Sequence, residues 1–207
     1  MNILLLNGSP HEQGCTYTAL EIVAASLRDA GVETEMLWIG PAPVRGCIGC
    51  DECKASKRCI FGDDLANIII EKMEQADGLV VGSPVYFASV NGSLLSLLDR
   101  VFYAGSVSFA CKPGAALVSA RRAGTTAALE VLNKYFTIAQ MPLISSHYWN
   151  MVHGNTPEQV LMDLEGVQTM QQLGRNMAWL LKCIEAGNAQ NIARPVVEHR
   201  LRTNFIR

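Results

Sequence analysis

Four of the chain's seven cysteines crowd into a single stretch, Cys47-Ile48-Gly49-Cys50-Asp51-Glu52-Cys53 followed by Cys59. Thiolates at this spacing can turn toward one loop interior, and the fourth closes the set around a metal centre. A cubane 4Fe-4S cluster is the sharpest reading, because the first three cysteines are spaced as in a bacterial ferredoxin loop. The last interval differs, and no proline follows Cys59. Two other readings stand beside it. One is zinc held by all four thiolates, although zinc ribbons separate their C-x2-C pairs by a longer interval. The other is a set of free thiols whose glycine serves only a turn.

A second constellation is Asn7-Gly8-Ser9-Pro10-His11-Glu12-Gln13-Gly14-Cys15-Thr16-Tyr17-Thr18, which follows the unbroken apolar run Ile3-Leu4-Leu5-Leu6. Such a run suits a strand buried on both faces of a parallel sheet, and the turn formers after it lead to a helix starting near Gly14. The first helical turn offers backbone N–H groups without intrahelical acceptors and the positive end of the helix dipole. Ser9, Thr16 and Thr18 add hydroxyls, so a phosphate dianion is served there without a lysine. Neither G-x-x-x-x-G-K-[ST] nor G-x-G-x-x-G is present, and a single terminal phosphate therefore fits better than a nucleotide polyphosphate or a pyrophosphate. An ordinary strand-to-helix turn is the structural alternative.

The elements that position these loops follow from periodicity. Helical spacing of Leu20, Ile22, Val23, Ala25 and Leu27 predicts a helix over 16–29, stopped by Gly31, and a strand follows over 32–39. The cysteine-rich loop spans about 44–62, and Asp63 is the expected cap of a helix running to about 75. A buried strand over 78–82, the loop Ser83-Pro84-Val85-Tyr86-Phe87, a helix over 91–103 and a strand over 113–119 come next, then a helix through Leu129, Leu132 and Phe136 and a short fifth strand over 141–145. Thr156-Pro157-Glu158-Gln159 opens a C-terminal helix or helix pair that Gly187 should end, leaving a tail with Arg194, Arg200, Arg202 and Arg207. Strands alternating with helices predict an α/β fold: one domain over 1–207, with a doubly wound, five-stranded parallel sheet and helices on both faces. Ligands of such sheets bind at the carboxyl ends of the strands, so the loops after strands one, three and four should share one crevice.

Composition narrows the partners. A formal charge of −2 without a Lys/Arg run argues against a nucleic-acid surface. No apolar stretch has the length of a membrane span or the form of a secretory signal, so a cytoplasmic location with reduced thiols is expected. Cys111 and Cys183 then read as small buried hydrophobes.

Gly8-Ser9-Pro10 with Gly14-x-Thr16, then Gly82-Ser83-Pro84-Val85-Tyr86 and Asn91-Gly92, resemble the NADPH-dependent FMN reductase group of flavodoxin-like proteins, over roughly residues 1–145. The cysteine run resembles more narrowly the iron-sulfur flavoproteins of that group. The resemblance implies FMN, a flavodoxin-like sheet, and a homodimer or homotetramer with flavin sites near subunit contacts. It implies that Ser9, His11, Gly14, Cys15 and Thr16 contact the FMN phosphate, with Thr18 a further candidate. Pro84, Val85, Tyr86 and Phe87 would line the isoalloxazine. Ser119, Arg121 and Gly124 would approach its pyrimidine edge, where Arg121 could balance negative charge on the reduced ring. Core packing is the alternative for Tyr86 and Phe87, and a surface ion pair for Arg121. His11 and Cys15 depart from the pattern, since relatives commonly carry Arg or Lys and Asn there.

The implied activity is that of an FMN-dependent oxidoreductase. NAD(P)H or a ferredoxin-like donor would supply electrons, which leave in pairs to a quinone, free flavin or similar small acceptor, or singly through the cluster. No side-chain acid or base stands out. The competing reading is a non-enzymatic electron carrier docking to redox proteins, which the weak net charge disfavours because it offers little steering. A flavin-free regulatory relative is the third.

Overall fold

The computed structural model describes residues 1–196 and residue 203. In chain order the elements are β1 (Asn2–Asn7), α1 (Cys15–Asp29), β2 (Glu33–Trp38), the one-turn α2 (Cys53–Ser56), α3 (Ala66–Gln75), β3 (Gly78–Tyr86), β4 (Ser89–Val90), α4 (Gly92–Phe109), β5 (Gly114–Ala120), α5 (Thr125–Ile138), β6 (Met151–His153), α6 (Pro157–Met162) and α7 (Leu164–Ala189). Five strands run parallel in the order β2-β1-β3-β5-β6, and β4 folds back antiparallel onto the end of β3. Strand order reverses at β1, whose neighbours are β2 on one side and β3 on the other. That is the switch point of a flavodoxin-like sheet.

Alternation along β1 explains the two layers. Leu4 and Leu6 face one core, with Leu79, Val81, Ala116 and Val118, under Ile70 of α3, Leu97 and Val101 of α4, and Phe136 of α5. Ile3 and Leu5 face the other, with Val80 and Leu117, under Leu20, Val23 and Leu27 of α1 and Met170, Leu173 and Met177 of α7. A strand buried on both faces cannot alternate with polar residues, hence the unbroken run.

Several expected boundaries move. The fifth strand is not 141–145: Leu143 makes only an isolated bridge to Gly114, and the ladder resumes at Met151–His153 opposite Val118, Ser119 and Ala120. Between the two pieces the buried Asn150 substitutes for strand pairing, its side chain donating to Ala116 O at 2.9 Å and its carbonyl accepting from Val118 N at 3.0 Å. The third strand runs on through Ser83-Pro84-Val85-Tyr86, because β5 pairs with it as far as Pro84 and β4 pairs with Val85 and Tyr86. The third helix starts at Ala66 rather than after Asp63, and Asp64, not Asp63, accepts from its first amide at 3.0 Å. The last helix passes through Gly187 to Ala189. Arg200, Arg202 and Arg207 lie outside the described residues. Cys183 is exposed on α7, not buried. Thr156 caps α6 as expected, accepting from Gln159 N. Among the described residues no helix is long and apolar enough to cross a membrane.

Candidate functional site

The loop after β1 is held by its own polar side chains. Asn7 donates to Glu12 O at 2.8 Å and accepts from Ser9 N, Ser9 Oγ accepts from His11 N at 3.1 Å, and Trp38 at the end of β2 donates to Ser9 O at 2.8 Å. Gly8 closes the loop's other side: its N–H reaches Gly82 O at 2.9 Å, its O accepts from Asn91 Nδ2 at 2.7 Å, and a Cβ there would stand 2.3 Å from Leu94 Cδ2. None of these groups is spent on the helix. Gly14 is the N-cap of α1, in extended backbone, and no side chain caps it. The first amide bonded back is that of Thr18, to Gly14 O. The N–H groups of Cys15, Thr16 and Tyr17 therefore lack intrahelical acceptors at the positive end of a fifteen-residue helix.

The hydroxyls are placed differently from one another. Ser9 is buried under the loop, Thr18 Oγ1 turns back onto Gly14 O at 3.2 Å, and Thr16 Oγ1 shares a 2.8 Å bond with Ser119 Oγ, tying α1 to the end of β5. His11 is exposed at the rim. Cys15 Sγ donates to Gly154 O at 3.6 Å. Burial raises its thiol above the ordinary range, against a backbone hydrogen bond and with help from Glu158. A thiol kept protonated is a poor nucleophile. In the apoprotein iodoacetamide should thus modify exposed Cys183 well before Cys15, an order that peptide mass mapping reads directly.

Opposite this loop, β3 and β4 form a hairpin whose two-residue turn is Phe87-Ala88, with φ of 49° and 56°. Both residues sit in the left-handed region without being glycine, at a cost of roughly 1–3 kcal/mol each. Phe87 is wholly exposed and Tyr86 is 43% exposed. The loop after β5 leans on this turn: Gly124 has φ 93°, and a Cβ on it would lie 2.7 Å from Ala88 Cα and 3.2 Å from Val85 Cγ1. Arg121 is exposed beside it, and Ser83 Oγ accepts from Asn91 N at 3.1 Å, fixing the hairpin to the start of α4. The carboxyl ends of β1, β3 and β5 thus share one side of the sheet, with an uncapped helix end and an aromatic turn at it.

A second site lies behind α4. Cys47, Cys50, Cys53 and Cys59 all line one shallow recess with room for only about 20 Å³, together with Ile48, Phe61, Arg100 and Tyr103. All four are free thiols. Burial raises the Cys53 thiol, opposed by a backbone hydrogen bond, and the neighbouring Cys47, Cys50 and Cys59 raise it further. Among the described residues no group of three His, Cys, Asp or Glu stands close enough to share a single metal ion. The loop bends at Gly49 and Asp51, both at positive φ. Its framework comes from side chains that sequence reasoning passed over. Asn67 of α3 accepts from Cys59 N at 2.7 Å and donates to Cys59 O at 2.9 Å, and Tyr103 of α4 donates to Asp51 at 2.7 Å. Arg100, 2% exposed, donates to Cys59 Sγ at 3.2 Å and pairs with Asp64 through both terminal nitrogens. The available signal was an arginine on the apolar stripe of α4, between Leu97 and Val101.

Burial alone would push the Asp64 carboxyl up, but the Arg100 hydrogen bond and the Ala66 amide outweigh it and hold the group below the usual carboxylate range. A carboxyl that ionises more readily when folded adds stability above its unfolded pKa and gives it up as pH falls through its own lower value. Urea midpoints of the apoprotein should therefore fall more steeply from neutral to acid pH in the wild type than in Asp64→Asn.

The description "NADPH-dependent FMN reductase" belongs to the family model that matches residues 1–156. An iron-sulfur flavoprotein of Methanocaldococcus jannaschii is 30% identical over 194 residues, covering 89% of this chain and 100% of the relative. One from Methanosarcina thermophila is 29% identical over 195 residues, covering 89% and 97%. Among solved structures, RosB with a bound 8-demethyl-8-formylriboflavin-5'-phosphate intermediate superposes with a TM-score of 0.71 at 13% identity, over 100% of this chain and 93% of that one. The apo form of the NADH:FMN oxidoreductase EmoB gives 0.64 at 18% identity, over 86% and 89%. These structural likenesses concern the fold, whereas the family match spans most of the sequence together with both loops of the crevice: the chain belongs to the NADPH-dependent FMN reductase family.

Proposed function

We propose that the chain is an FMN-dependent oxidoreductase that carries a 4Fe-4S cluster on Cys47, Cys50, Cys53 and Cys59, taking electrons from NAD(P)H or a ferredoxin-like donor and passing them to a small acceptor. The observation that carries the flavin half is the uncapped start of α1 on the same side of the sheet as the strained Phe87-Ala88 turn. The donor set fits a lone phosphate: amides of Cys15, Thr16 and Tyr17 without acceptors, and no lysine to engage a longer polyphosphate. The Gly8 and Gly124 contacts fit too, because a side chain at either would push its loop off the neighbouring backbone. Exposed Tyr86 and Phe87 offer a flat apolar surface that a planar ring would cover.

Bound FMN would supply two-electron exchange with a nicotinamide or quinone and one-electron exchange with a metal centre. The chain's task is to hold and surround it. The start of α1 takes the phosphate, Pro84 through Phe87 cover the ring, and the exposed Arg121 guanidinium provides positive charge at the far rim. The Asn91 amide, locked to Gly8 O and capping α4, keeps the two principal loops at fixed separation. No side chain of the crevice is assigned a proton-transfer step.

The cluster half rests on four free thiols around one recess. Four thiols are the donor set a cubane takes, and the loop that carries them would open around the cluster as it binds. The names of the archaeal relatives support the same reading. The test is an absorption spectrum of anaerobically purified protein with FMN, iron, sulfide and zinc assayed on one sample, followed by NAD(P)H oxidation against a panel of quinone and flavin acceptors. Stoichiometric FMN with iron and sulfide, and turnover with an acceptor, is the expected result. No FMN uptake overturns the assignment. Zinc without sulfide overturns the cluster alone, and fast exchange with reduced ferredoxin but no turnover would make the protein a carrier.

A further inference from the structure

Resting on the cluster reading, we propose that Arg100 and Asp64 set the reduction potential of the centre held by the four cysteines, Arg100 raising it and Asp64 lowering it. The guanidinium has five N–H donors, and here all five have acceptors. Nε reaches Cys59 Sγ at 3.2 Å, one terminal nitrogen serves Asp64 and Arg45 O, and the other serves Asp64 at 2.9 Å and Phe61 O at 3.3 Å. The side chain is 1% exposed, whereas its carboxylate partner is 18% exposed. A buried cation is tolerated only when its donors are met, and a neutral thiol is a weak acceptor for one of them. Aiming Nε–H at that sulfur is worth most when the sulfur carries charge, as a metal-bound thiolate does. The planar fork also fixes the direction of this N–H, which a lysine could not do.

Hydrogen bonds to ligand sulfurs and net local charge are two of the levers on cluster potential. Reduction adds one electron and, with the ligands unchanged, one negative charge, so the Nε–H dipole favours the reduced state. The Asp64 carboxylate disfavours it. A residue that merely propped the loop against Arg45 O and Phe61 O would not produce shifts of opposite sign when the two partners are changed.

The experiment is an EPR-monitored redox titration of the anaerobically reconstituted full chain, with iron and sulfide per chain measured alongside. Asp64→Asn should raise the midpoint. Arg100→Gln combined with Asp64→Asn, which leaves no unpaired charge, should lower it by at least a tenfold change in the one-electron equilibrium, about 59 mV. Arg100→Lys, keeping the charge and losing the fork, should lower it by less. Wild-type midpoints in clusters of wild-type iron and sulfide content, or shifts of one sign in all variants, overturn the inference. Should the double variant assemble no cluster, the lysine variant decides: a lowered midpoint supports the proposal and an unchanged one overturns it. A wild-type chain that takes up no iron and sulfide overturns the cluster reading, and this inference with it.

Discussion

Replacing Gly14 with aspartate should leave the apoprotein at least as stable as the wild type while weakening FMN binding a hundredfold or more. The two effects have one cause. Gly14 occupies the N-cap of α1 at φ −88° and ψ −166°, backbone that any residue adopts, and it contributes no side-chain acceptor. Aspartate is among the best N-caps because its carboxylate accepts from the second or third amide of the helix, here those of Thr16 and Tyr17, a gain over glycine of a few tenths of a kcal/mol. Those are the donors assigned to the phosphate. The carboxylate would occupy them and repel the dianion as well, and a hundredfold loss corresponds to about 3 kcal/mol. The added Cβ lies 3.1 Å from His11 Cβ, so the backbone of the exposed 11–13 turn must give by a few tenths of an ångström, which offsets part of the cap's gain. Flavin fluorescence titration and thermal melts of the apoprotein measure the two effects, and Gly14→Asn, which caps without charge, should fall between. Wild-type affinity in the aspartate variant would place the phosphate elsewhere.

Arg100→Met should be among the most damaging single substitutions in the chain. Removing one member of a buried ion pair strands the other, at roughly 3–5 kcal/mol, and the partial exposure of Asp64 puts the loss near the lower end, about 3 kcal/mol. Contacts with Arg45 O, Phe61 O and Cys59 Sγ disappear at the same time, so the cysteine loop should also lose protection from proteolysis. Adding Asp64→Asn should recover much of the stability, since the stranded charge goes with it, but not the loop's order. Urea unfolding of the three apoproteins, with limited proteolysis of each, checks both statements. Equal stability of Arg100→Met and wild type would mean that the ion pair contributes nothing.

What could be read in advance divides by the range of the interactions. The buried run Ile3-Leu4-Leu5-Leu6, the α1 stripe and the Thr156 cap are local patterns, and each appears where expected. The end of β3 was misjudged because Ser83-Pro84 looks like a turn by itself. Only the partners show otherwise, since β5 reaches as far as Pro84 and β4 supplies the hydrogen bonds beyond. The edge strand was misplaced for a similar reason. Met141 to Ser145 is apolar enough for a strand, yet Asn150, a poor strand former, is what takes up the bonds of Ala116 and Val118. Both candidate loops were legible as loops. The side chains that shape the cysteine recess were not, because Asn67, Tyr103 and Arg100 meet it from helices well separated from it in sequence, and no spacing within the loop announces them.

The two loops share a spacer. Asn91, clamped to Gly8 O at one end of α4, and Arg100, fastened to Cys59 further along, are nine residues apart on a single uninterrupted helix, about 13.5 Å of axial rise. That helix is packed along its length by Leu94, Leu97, Leu98 and Val101, none more than 1% exposed. The spacing of the two loops is thereby set by the length of one buried helix rather than by either loop's own conformation.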